Sequence, residues 1–141
     1  MKSMEFEELC RDASFVLGID DTQALGQGFT VPCDDVLFEA SFRDGSDRFT
    51  LLAELGPVAP DKKLEVYESL LTLQLLGWAQ PGMRFGFNTP RQTTMLCLET
   101  GLGQGVSGAW LAGIIRSTAK EVATWRKTLL PGMACLPEEQ S

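Results

Sequence analysis

The chain has 141 residues, 44% of them apolar and 22% charged, with a formal net charge of −7 and a pI near 4.5. That length suits one domain with its own core, and that composition is not that of a disordered chain. The charge has the wrong sign for a nucleic-acid backbone or an anionic membrane as partner, and basic residues adjoin only at Lys62-Lys63 and Arg126-Lys127.

The first predicted element is an amphipathic helix over Met4–Leu17. Phe6, Leu9, Cys10, Ala13, Val16 and Leu17 recur at helical spacing, and Gly18 is a fitting stop. Met4 and Phe15 fall on the opposite, polar face, about three turns apart, and suggest a contact surface. Glu5, Glu7 and Glu8, with no apolar run among them, do not read as a secretion signal. After a polar stretch, Asp20–Gln27, three strands are expected: Gly28–Cys33, Val36–Arg43 and Arg48–Leu55. Pro32 points to an edge strand or a strand end, and Asp44-Gly45-Ser46-Asp47 is a strong turn between the other two. The paired acids Asp20-Asp21 and Asp34-Asp35 read as turn residues, with nothing nearby to raise a carboxylate pKa for acid–base work.

Leu64–Trp78 follows, a leucine-rich helix opened at Pro60-Asp61. On a helical projection Glu65, Glu68, Ser69 and Thr72 form one polar stripe, broken only by Leu76. The remaining apolar residues fill an arc of roughly 200°, wider than a helix packed on one side requires. They form two lobes, Val66/Leu70/Leu73 and Leu64/Tyr67/Leu71/Leu75/Trp78, with Gln74 between them. Two lobes suggest two partners, the chain's own sheet and something outside it; a helix buried deep in a larger core is the other reading.

Two further strands, Met83–Asn88 and Thr93–Glu99, precede a helix over Val106–Leu130 that carries Leu111, Ile114, Ile115, Thr118, Val122, Trp125 and Leu129. Residues 1–130 are thus expected to form one domain and 131–141 a loose acidic tail. The fold class is α+β, in the order α-βββ-α-ββ-α: a twisted antiparallel sheet packed with three helices. No stretch of 18 apolar residues occurs, so no membrane span is expected.

Catalytic signals are weak. There is no histidine, which removes the commonest general base and metal ligand, so neither enzyme activity nor a metal or cofactor is expected. Cys10, Cys33, Cys97 and Cys135 lie far apart without a CxxC pair and are expected to stay reduced in a cytoplasmic protein. Gly103-Gln104-Gly105-Val106-Ser107-Gly108 matches the dinucleotide fingerprint between a strand and a helix. No second parallel strand follows to carry its acidic residue, so it reads as a flexible turn; a small nucleotide-binding enzyme using Gly103–Gly108 is the weaker alternative.

This layout, with the aromatic MRFGFN strand ahead of TTMLCLE, resembles the class I type III secretion chaperones, the Tir chaperone (CesT-like) family, over about Met4 to Leu130. The resemblance implies a bacterial cytoplasmic homodimer. Such a dimer binds the extended N-terminal segment of a secreted effector and keeps it secretion-competent without ATP. Carried over by position, Leu64, Tyr67, Leu71, Leu75, Trp78 and Phe85 would form the dimer interface, and Met4, Phe15, Phe29, Val31 and Phe38 the client surface. A regulatory, anti-activator type of dimer with the same fold is the other reading.

Overall fold

The computed structural model describes residues 2–76, 83–103 and 105–128. Helix α1 spans Lys2–Leu17. A short 3-10 turn at Leu25–Gln27 leads into strands β1 (Val31–Cys33), β2 (Val36–Phe42) and β3 (Arg48–Gly56). Helix α2 covers Lys63–Leu75, strands β4 and β5 cover Met83–Asn88 and Thr93–Gly101, and helix α3 covers Gly108–Thr128. The expected α-βββ-α-ββ-α order is the order found. The strands form one sheet, β1-β2-β3-β5-β4, in which every neighbouring pair is antiparallel.

Strand alternation sets the two faces. Phe38, Ala40, Phe49, Leu51, Ala53 and Leu96 are all buried beneath the helices. Leu37, Leu52 and Cys97, one residue out of phase, are half-buried on the other face. Helix α1 brings Phe6, Leu9, Cys10 and Ala13 to the covered face, where Phe6 stacks on Phe42 at 5.0 Å between ring centres. Helix α3 adds Leu111, Ala112, Ile115, Ala119, Val122 and Trp125. The periodicity of α1 misassigns Val16, which is exposed, whereas Ser14 one turn after Cys10 is buried.

The α1–α3 contact depends on one glycine. A methyl group on Gly108 would lie 2.4 Å from Asp12 Cβ and 2.8 Å from the Asp12 carbonyl carbon. The backbones therefore meet here at a distance only glycine permits. On the sheet, a register shift between Glu54 and Gly56 bends β3 at its end. Arg91, from the β4–β5 turn, pairs in bidentate fashion with the nearly fully buried Glu54, and its second bond, from Nη2 to Oε1, is 3.0 Å. Burial thus leaves this carboxylate paired.

Candidate protein-binding surfaces

Helix α2 stands beside β4, the free edge of the sheet. Gln74 fixes it there: its amide donates to the Met83 carbonyl at 3.3 Å, and its carbonyl accepts from the Phe85 amide at 3.0 Å. One side chain thereby occupies edge groups that would otherwise invite another strand. Tyr67 meets Phe87 edge-on, with ring centres 6.2 Å apart.

Of the two apolar lobes, Val66, Leu70 and Leu73 are buried. The other faces out: Leu64, Leu71 and Leu75 are 73%, 70% and 85% exposed, and Leu76 adds to them. Leucines at i, i+7 and i+11 form one line along a helix. Aligned leucines this open mark a contact surface. Tyr67 is only half-buried, held by Phe87, and Trp78 lies outside the described residues. Phe85 is corrected. It turns inward onto Trp125, edge-to-face at 5.8 Å, because its position in the β4 pleat faces α3. The exposed aromatic of β4 is Phe87.

A second surface lies at the opposite edge, where β1 is the outermost strand. Cys33 pairs with Val36 across a two-residue turn in which Asp34 and Asp35 both have positive φ, 52° and 68°. This is the twist-matched hairpin turn in which aspartate tolerates a left-handed backbone. Arg126 of α3 anchors the hairpin. It donates to the carbonyls of Asp35 at 3.2 Å, Glu54 at 3.1 Å and Leu55 at 2.7 Å.

Between this hairpin and the end of α1 runs an open groove of about 680 Å³, lined by Leu17–Asp21, Ala24 and the stretch from Phe29 to Asp34. Phe29 is exposed at its wall, and Phe15 and Met4 are exposed on α1 outside the groove lining. Burial raises the pKa of the Cys33 thiol in the groove, Asp34 raises it further, and Arg116 opposes them. The thiol stays protonated at neutral pH and is no nucleophile.

The residues expected to meet a client divide accordingly. Met4, Phe15 and Phe29 are on the surface, while Val31 and Phe38 are core residues, 3% and 0% exposed. The alternation that makes them strand residues also turns them under α1 and α3. The strand is also shorter than its sequence pattern, starting at Val31 rather than Gly28. Phe29 is held back in the preceding turn, its amide donating to the Ala24 carbonyl at 3.0 Å. Sequence patterns missed the exposure of Val16 and Phe87. Each fits a periodic apolar pattern, and only the neighbouring elements decide whether such a residue is covered; Leu76, which breaks the polar stripe, is exposed as its position suggests.

The glycine-rich loop has a structural occupation. Gly105 adopts φ 87°, Gly108 is filled by α1, and the Trp110 amide at the start of α3 is capped by Ser107 Oγ at 3.2 Å. In the fingerprint the second glycine admits the pyrophosphate and the third allows close packing of the helix on a strand. Here the third glycine, Gly108, packs α3 against helix α1 instead of a strand. Gln104 lies outside the described residues.

No family model matches the chain, and no curated protein matches it. Among solved structures it is similar to a chain of the ExsC–ExsE complex, with a TM-score of 0.70, 12% identity, and coverage of 91% of this chain and 96% of that one. It is also similar to a chain of the HopA1–SchA chaperone–effector complex, with a TM-score of 0.62, 15% identity, and coverage of 89% and 96%. The likeness is one of fold, and it is the chaperone-like fold that the resemblance implies. Among the described residues no helix is long and apolar enough to cross a membrane.

Proposed function

We propose that this protein is a type III secretion chaperone. As a homodimer it binds the extended N-terminal segment of a secreted effector and holds it soluble and ready for export. The observation that carries this reading is the fold. It matches a chain of a chaperone–effector complex over about nine-tenths of the sequence and leaves an open groove beside an edge strand. Binding of this kind asks for surface, not chemistry. A client backbone adds to the free strand edge and its apolar side chains settle against Phe15, Phe29 and Met4, with no acid, base or nucleotide taking part. The exposed leucines of α2 are covered by the same helix of a second copy, an isologous contact of the commonest symmetry.

Co-expression with the N-terminal region of a secreted protein encoded beside this gene tests the proposal. The expected result is a soluble complex that co-purifies and is lost in Phe15→Asp or Phe29→Asp, both at exposed positions that leave the core intact. A client that is equally soluble without this chain would overturn it.

A further inference from the structure

The α1 side of the sheet carries two grooves of one charge, and from them we infer what kind of segment binds. It is an extended polypeptide whose apolar side chains are flanked by lysine or arginine. This rests on the chaperone reading and specifies its client.

The groove of about 680 Å³ has Asp20, Asp21 and Asp34 as its charged lining. At the other end of α1 a groove of about 340 Å³ is lined by Glu7, Glu39 and Asp44 as its charged residues, beside Phe6, Gly28 and the Ala40–Phe42 end of β2. Neither lining contains a lysine or arginine. Of the cations close by, Arg116 donates to the Val16 carbonyl at 3.1 Å and acts on the Cys33 thiol, Arg11 lies 3.7 Å from Glu8, and Arg43 adjoins Asp44 in the chain. Asp20, Asp21 and Asp34 thus meet no counter-charge within the lining of the larger groove, whereas Glu39 of the smaller one is in phase with Leu37 on the other face of the sheet and interacts with Arg91.

The same side of the molecule exposes backbone. β1 is an edge, and it pairs with β2 only from Val36 to Phe38, so the stretch Glu39–Phe42 of β2 has no β1 neighbour. An open sheet edge recognises extended chain, exposed Met4, Phe15 and Phe29 accept apolar side chains, and the acidic walls select cations among the residues between them. Clefts walled by one sign of charge concentrate the opposite sign and speed its arrival.

Two other occupants fit less well. A second copy of this chain carries −7 itself and is repelled by the same field. A metal ion lacks a site, since no group of three or more metal-ligating side chains converges among the described residues.

The test is selection from a randomised peptide library on the full chain. Affinity of the selected peptides is then measured in low and high salt, for the wild type and for the triple variant Asp20→Asn, Asp21→Asn, Asp34→Asn. Asparagine keeps the oxygen that accepts from the Gln23 amide next to Asp21 and tolerates the φ of 52° at Asp34. Selected peptides should pair apolar residues with Lys or Arg and weaken roughly tenfold or more from low to high salt. The triple variant should lose most of that salt dependence. A control with the same charge change outside both linings, Asp61→Asn, Glu68→Gln and Glu121→Gln, should keep it. Neutral or acidic binders, or affinity indifferent to salt and to the triple variant, overturn the charge inference and leave the chaperone reading standing. No binder at all to the folded chain overturns both.

Discussion

Two buried side chains give the fold its most measurable dependences. Glu54 is 4% exposed and owes its tolerance of burial to Arg91. Arg91→Ala should lower unfolding stability by about 2 kcal/mol in a denaturant titration, below the loss for a fully enclosed pair because the guanidinium is half in water. Cys10 is the second. Burial, with a further contribution from Glu7, pushes its thiol up to about 12 from the usual 9.0. A thiol that ionises later in the folded chain contributes stability that is intact below pH 9 and is lost as pH rises toward 12. The loss over that window is at most about 4 kcal/mol. Urea midpoints should therefore fall more steeply above pH 9 in the wild type than in Cys10→Ala.

At the scale of elements, glycines separate packing from mere freedom. Gly108→Ala inserts a methyl group against the backbone of α1 and should destabilise by about 1–3 kcal/mol. Gly113→Ala, further along α3 with nothing within 4 Å, should instead stabilise by about 0.5–1 kcal/mol through helix propensity alone. Thermal melts of the two variants check both signs. The same contrast shows what could be read in advance. Strand alternation and helical spacing are local, so they carried the element order, the edge strand at Pro32, the turns, and the two lobes of α2. What covers an apolar face is not local. Nothing in the spacing of Val31 and Phe38 tells a core residue from a groove residue, and nothing near Phe85 announces Trp125, forty residues on in the chain. Gly108 likewise reads as a nucleotide motif until α1 is seen to fill it.

On the scale of the whole molecule, the surface is divided between the two ends of one sheet. The β4 end presents the leucines of α2, and the β1 end presents the grooves beside α1. In the proposed function a second copy would cover one end and a client the other. Each leucine removed from water at the α2 end is worth about 1.5–3 kcal/mol at most, a gain that association must set against its own entropic cost. Because Leu71 is 70% exposed, Leu71→Asp leaves the monomer core untouched and affects only what covers the helix. Light scattering at micromolar concentration is the most direct measurement. The expected mass is twice the 15.4 kDa of one chain for the wild type and a single folded chain for Leu71→Asp. A wild-type monomer, or a dimer indifferent to Leu71→Asp, would contradict the assignment of the α2 leucines to a second copy.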